Sequence, residues 1–301
     1  MKLTNVILGA FAVTMTVASA NAQINILNSK TPEEIGVKTP DQIAYDNDEA
    51  LPYGYVDERD VLWSKSTWEI IDLDERVNFP LYYPIDTNNI GSERRSLYDV
   101  LVKNMQNGNI QDVYADSYFT EKRTLDDLDA SLVYRDTTDY GIDQFNAEGR
   151  VDDEYIREFT LDAADVEQWK IRGLWYIDKR QGELKYRLLG ICPVAGEARS
   201  KAFGEDDGMD SKVDLFWVYF PAARDVLHKA KAFNRKNTSQ PISYDHLLNS
   251  RRFHGVIYKE DNVQGDREVN EYINDNALMQ LLESDRIQEQ IRNIEIDLWN
   301  Y

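Results

Sequence analysis

Residues 169–192 read WKIRGLWYIDKRQGELKYRLLGIC, and this stretch sets the expected fold. Trp169, Ile171, Trp175 and Ile177 alternate with Lys170, Arg172, Tyr176 and Asp178, the period of two expected of a strand. Residues 179–183 make the turn, with Gly182 able to take a positive φ. Leu184, Tyr186, Leu188 and Cys192 continue the alternation on the way back. A third strand over residues 213–220 is apolar on both faces, as a central strand is. The expected class is therefore α+β, built on an antiparallel β-meander with flanking helices. Cys192 inside a strand reads as a small buried hydrophobe rather than a nucleophile.

Outward from this hairpin, two stretches resemble each other. Tyr82-Tyr83-Pro84 is followed by Leu97-Tyr98-Asp99-Val100-Leu101, then Gly108 and Val113-Tyr114. Tyr219-Phe220-Pro221 is followed by Ser243-Tyr244-Asp245-His246-Leu247, then Gly255 and Val256-Ile257-Tyr258. Each reads as an aromatic strand ended by proline, a helix, a terminating glycine and a short strand. An internal duplication (61–150 and 165–275) and chance likeness both stay open, because the spacing from proline to helix differs. The body is expected over 61–275. Residues 276–301 read as an amphipathic C-terminal helix, with Leu278, Leu281, Leu282, Ile291, Ile294 and Leu298 on one side and Asn274 or Asp275 as cap.

Residues 23–60 read as an extended acidic arm. Lys30-Thr31-Pro32-Glu33 recurs as Lys38-Thr39-Pro40-Asp41, and each Thr-Pro can open a short helical turn. Residues 41–60 hold seven acids against Arg59 alone. Such a segment is either a solvated leader or an arm that lies on a neighbouring subunit. Leu51, Tyr53, Tyr55 and Val56, apolar for a free tail, are the ground for the second reading, and both stay open. Ahead of it, Lys2, the apolar run over residues 6–17 and Ala20-Asn21-Ala22 give the three-part pattern of a secretory signal peptide over 1–22, cleaved after Ala22. The mature chain of 301 − 22 = 279 residues is then exported and carries no lipid-accepting cysteine at its new start.

With 54 Asp and Glu against 34 Lys and Arg, the formal charge is −20, which argues against bulk nucleic-acid binding. One cysteine excludes a disulfide framework and a cysteine-rich metal site. No nucleophile elbow, phosphate-cradling glycine loop, His-Glu-x-x-His or dinucleotide fingerprint occurs. His228, His246 and His254 are the only histidines, and structural roles suit them. Residues 205–210 are acidic but fail the EF-hand spacing. No catalytic residue, cofactor or metal ligand is therefore expected.

Charge distribution says more. Residues 222–259 carry Arg224, Lys229, Lys231, Arg235, Lys236, Arg251, Arg252 and Lys259 against Asp225 and Asp245, a net of +6. Residues 121–165 carry fourteen acids against five bases, a net of −9. The basic island is either the polar face of a helix after Pro221 or a docking surface for an acidic patch on another subunit. Opposite patches on one molecule permit head-to-tail assembly, which salt should loosen. Trp63, Trp68 and Trp299 are contact candidates where exposed, since buried aromatic anchors dominate interfaces.

The run from Asp60 to Arg76 (DVLWSKSTWEIIDLDER), its continuation Val77-Asn78-Phe79-Pro80-Leu81-Tyr82-Tyr83-Pro84, and the block from Trp169 to Lys179 with its return through Gly190-Ile191-Cys192-Pro193 resemble the GldN/PorN family of gliding-motility proteins. The resemblance implies a non-enzymatic component of the type IX protein secretion and gliding machinery. It implies a periplasmic protein at the inner face of the outer membrane, held there by the lipoprotein GldK (PorK), with which it forms a ring coupled to the inner-membrane motor GldL–GldM. It carries over no catalytic residue. The rival class is a secreted enzyme or ligand-binding protein, marked by a deep pocket with two convergent carboxylates beside His246 or His254. A secreted cargo of the same machinery is disfavoured, since no separate β-rich sorting domain follows.

Overall fold

A computed structural model describes residues 29–34, 40–45, 48–86, 88, 94–203, 212–237, 241–274 and 276–299. The segment read as a signal peptide and the acidic run 205–210 lie outside the described residues. The class is α+β, as the alternation indicates. A seven-stranded sheet is formed by β1 (Val61–Asp72), β2 (Val113–Tyr114), β5 (Val166–Asp178), β6 (Glu183–Gly196), β7 (Lys212–Asp214), β8 (Trp217–Tyr219) and β11 (Val256–Glu260). Two small ribbons pair β3 (Val133–Thr137) with β4 (Ile156–Thr160) and β9 (Lys231–Ala232) with β10 (Ile242–Ser243). The path across the large sheet is β11-β1-β5-β6-β8-β2, with β7 beside β6, and every pairing is antiparallel.

The β5–β6 hairpin matches the expected strands, and its turn places Gly182 at φ 65°. Leu189 is skipped in the pairing, because Arg172 faces Gly190 and Gly173 faces Leu188. This bulge reverses the side-chain phase of β6, as an extra residue must. Leu188 therefore joins the main core while Cys192, expected on the same face, joins another cluster. The expected third strand is broken as well. Leu215 and Phe216 separate β7 from β8, and Phe220 already begins a helix, Phe220–Lys229, with Pro221 in its first turn.

One face of the sheet carries Ile71, Trp169, Ile171, Ile191 and Val218 against the helices Leu97–Gln106, Phe220–Lys229 and Tyr244–Asn249. Neighbouring residues along a strand point oppositely, so the other face holds Trp68, Cys192 and Trp217, packed under Tyr114, Phe119 and Tyr258. A third cluster forms where the C-terminal helix Ala277–Trp299 lies on β11.

That helix is capped by Asn276, whose Oδ1 accepts from the Met279 N–H at 3.1 Å, in place of Asn274; Asp275 lies outside the described residues. Its packing stripe includes Ile291 as expected and otherwise differs. Ser284, Ile287 and Ile291 face β11, and the Ser284 hydroxyl accepts from the Ile257 N–H at 2.8 Å. Leu278, Leu281 and Leu282 lie on the opposite side, in solvent.

The two similar stretches share a serine N-cap, Ser96 bonding the Asp99 N–H and Ser243 the His246 N–H. They differ at their starts, because Phe79–Tyr82 is a helical turn rather than a strand, whereas Tyr219 ends β8. The tyrosine after each cap serves as a clip: Tyr98 donates to the Leu161 carbonyl at 3.0 Å and Tyr244 to that of Arg95 at 2.8 Å.

Candidate functional site

The basic island is two populations with different roles. In the helix Phe220–Lys229, Phe220, Ala223 and Leu227 recur at helical spacing and face inward, which puts Arg224 and His228 at the flank. Arg224 grips Asp245 with two hydrogen bonds, 2.8 and 3.2 Å, and both side chains are nearly buried. This pairing holds the guanidinium firmly charged. Arg251 is likewise structural. It takes the left-handed region at φ 50°, stacks on the Tyr186 ring at 4.3 Å, and forks onto buried Glu69 at 3.0 and 2.7 Å. Lys259 caps the Trp68 and Tyr118 rings at about 5 Å, and Lys231 meets Asp48.

The other four cations, Lys229, Arg235, Lys236 and Arg252, are exposed and enter no ion pair among the described residues. Lys229, Arg235 and Lys236 lie along the end of the helix and the loop after it, beside half-exposed Phe233.

The arm occupies part of the same region. Asp48 reaches His228 at 2.7 Å and Lys231 at 3.1 Å. Burial alone would raise its carboxyl, but those two hydrogen bonds hold it below the usual carboxylate range. Arg224 donates to the Leu51 carbonyl at 2.6 Å. Tyr53 donates to Asn249 Oδ1 at 2.8 Å, and its ring lies between Arg224 at 4.0 Å and Arg187 at 4.6 Å. Arg187 then donates to the Gly54 carbonyl at 3.1 Å. Residues 48–54 thus rest on their own chain. Further back, short helical turns begin at Pro32 and Pro40.

The acidic stretch folds as a lobe. The helix Asp139–Glu148 sits on the β3–β4 ribbon, capped by Thr138 and ended by Gly149 at φ 71°. Gly141 allows the close approach, since a methyl there would come within 2.7 Å of the Thr137 side chain and 2.9 Å of Tyr155 Cβ. Pressed down at that point, the helix turns Tyr140, Ile142 and Phe145 outward among Asp139, Asp143 and Glu148.

Of the expected aromatic contacts, Trp68 is 1% exposed and belongs to the core with Cys192 and Trp217, so it offers no surface. Trp63 is half-buried against Ile287 and Ile291. With Ser64, Lys65, Asp261 and Ile294 it lines a groove of about 490 Å³ under the C-terminal helix. The side chain of Trp299 lies outside the described residues.

The features of the rival reading are dispersed. Asp261 lies against Asp266 and is raised by burial and by that neighbour; Tyr118 donates to Asp266 at 2.7 Å, and burial and that bond push its hydroxyl up to about 12. His246 is exposed on its helix, and His254 pairs with Glu75 at 2.7 Å. No group of three His, Cys, Asp or Glu side chains among the described residues is arranged to hold a metal ion. No described helix is long and apolar enough to cross a membrane.

The Tyr53 cradle, the buried Glu69–Arg251 fork and the outward apolar face of the acidic lobe are features that sequence reading does not name. The apolar residues of the arm signalled the first, and the acidic excess over residues 121–165 the last.

No curated protein sequence matches the chain. The family model described as gliding motility associated protein GldN matches residues 56–300. It covers β1, the β5–β6 hairpin, both surfaces of opposite charge and the C-terminal helix. The chain therefore belongs to the GldN family of gliding motility associated proteins.

Proposed function

We infer that this gliding-machinery component works by adhesion alone, as a non-enzymatic member of a ring in the type IX secretion apparatus. It is exported, loses residues 1–22, and lies in the periplasm under the outer membrane. There it binds a GldK-like lipoprotein and further copies of itself, and the ring couples to the GldL–GldM motor. The observation that carries this reading is family membership across residues 56–300.

The surfaces suit repeated contact. The acidic lobe presents Tyr140, Ile142 and Phe145 inside a negative rim, and Lys229, Arg235 and Lys236 stand unpaired beside Phe233. A lobe of one copy against the cations of the next is a heterologous contact, the kind that closes into a ring when the rotation allows.

The test is affinity capture of the tagged mature chain from envelope membranes, with mass analysis of what is bound and a salt titration of its self-association. A GldK-like lipoprotein should be recovered, and the homo-oligomer should loosen as salt rises beyond about 0.15 M, where the screening length falls below about 8 Å. Lys229→Glu with Arg235→Glu and Lys236→Glu should abolish self-association while leaving the melting temperature in place. A lone monomer that captures no lipoprotein, or a salt-insensitive oligomer, overturns the reading.

A further inference from the structure

Arm residues 48–54 fill a cradle built by Arg187, Arg224, His228, Lys231 and Asn249. Each of these contacts joins a body side chain to an arm side chain or carbonyl. Among the described residues, 49–56 make no backbone–backbone hydrogen bond and enter no sheet. The arm is clamped again at Asp60, whose carbonyl accepts from the Lys179 N–H at 2.7 Å and whose carboxylate meets Arg180 at 2.6 Å. At the edge of the first clamp Gly54 has room for a side chain, since an added methyl would meet nothing within 4 Å. The seven steps from Tyr53 to Asp60 can span up to about 25 Å when extended.

The strap is also one-sided. Tyr53 points into the cradle, while Leu51 and Tyr55 on either side of it are 80% and 87% exposed. A single copy leaves these two large apolar side chains in water.

We propose that the cradle is an exchange site, and that in the assembled state it receives the arm of a second copy of this chain. The contacts are identical in either arrangement, so exchange gives up only the concentration advantage of a tethered segment, about millimolar for a short linker. Copies held side by side restore that advantage. Charge selects the same occupant: the arm segment brings Asp48 and Glu49, and the cradle brings Arg187 and Lys231 beside the Arg224–Asp245 pair. A second copy alongside would also cover Leu51 and Tyr55. The proposal goes beyond the function above, because it needs no lipoprotein.

Two full-length variants with different tags test it. One carries Asp48→Asn with Tyr53→Ala, a defective arm on an intact cradle. The other carries Arg187→Glu with Lys231→Glu, the reverse. Neither can close its own arm, so only a mixed pair has one working contact. Capture of one variant by the other should exceed capture of either by itself about tenfold, the equivalent of one charge-assisted hydrogen bond. Equal capture in mixed and single-variant samples refutes exchange. Where a variant's thermal melt departs from wild type, Tyr53→Ser and Arg187→Gln replace the pair with the same criterion. A wild-type chain that recovers its lipoprotein while the mixed pair shows no excess refutes exchange alone.

Discussion

Replacing Glu69 by glutamine keeps the shape of the side chain and removes its charge. Glu69 is 1% exposed on β1, and its two oxygens accept from Arg251 at 3.0 and 2.7 Å. At an effective dielectric of about 20, charges about 4 Å apart attract by roughly 4 kcal/mol. Breaking a fully buried pair by removing one partner costs roughly 3–5 kcal/mol, because the remaining charge is stranded. The Arg251 side chain is 26% exposed, so water recovers part of this, and about 2–3 kcal/mol is the expected loss. The stacking of Arg251 on Tyr186 and its left-handed backbone limit how far it can swing out to solvent. In urea unfolding the midpoint should fall by about 1 M with an unchanged slope. The double variant Glu69→Leu with Arg251→Met should regain most of the loss, since it leaves no unpaired charge. A Glu69→Gln protein within about 0.5 kcal/mol of wild type, the range of an ordinary surface change, would show that the fork contributes nothing.

Four further outcomes follow from the same packing. Gly173→Ala should destabilise by about 1–3 kcal/mol in thermal melts, because the added methyl overlaps the Tyr186 phenol, itself wedged between Trp175 and Arg251; an unchanged melt would mean the ring yields freely. Trp63→Ala should lower stability by about 2 kcal/mol and speed proteolysis within residues 277–299, since Trp63 packs on Ile287 and Ile291; an unaltered digestion pattern would contradict that contact. Burial raises the Cys192 thiol well above its ordinary range, so a disulfide reagent should leave the native protein unmodified and label it on unfolding; rapid native labelling would place Cys192 at the surface. Burial also raises Tyr98, Tyr186, Tyr244 and Tyr258, which stay protonated in the fold while the unfolded chain ionises. Their contribution is complete below about pH 10 and is lost above it, so these four should appear as tyrosinate only with unfolding. A single smooth ionisation of all tyrosines with the fold intact would refute this.

The β5–β6 hairpin was legible because one face is uniformly apolar and the turn carries a glycine where a positive φ is needed. β1 was not legible as a strand by alternation, because Ser66, Thr67, Trp68 and Glu69 are all buried in succession. Thr67 and Glu69 point to the face of the helical core, where Arg251 meets Glu69, while Ser66 and Trp68 point to the other face, which Tyr118 and Phe119 cover, so polar residues sit inside. The C-terminal helix was legible as a helix, but its packing face was not. Hydrophobicity points to Leu278, Leu281, Leu282 and Ile291, of which only Ile291 packs inward; the contact with β11 adds Ile287 and the hydroxyl of Ser284. The basic island was visible as a charge excess. Its division into paired and unpaired cations depends on Asp48, Glu69 and Asp245, which are distant in sequence from the arginines and lysines that they hold. The acidic lobe was visible only as charge. Its outward Tyr140, Ile142 and Phe145 follow from Gly141 pressing the helix down, which requires the hairpin beneath it.

The sheet ends in β2, two residues long and further bridged from Tyr114 to Lys122, and in β11, five residues long with a bridge from Lys259 to Glu268. At these two ends a neighbouring backbone finds only short rows of amides and carbonyls along which to zip. For a molecule proposed to stand shoulder to shoulder with its own kind, that disfavours fibre-like growth from either end. Growth through side-chain contacts is open to weakening by ions, so an array built from them can be taken apart and rebuilt.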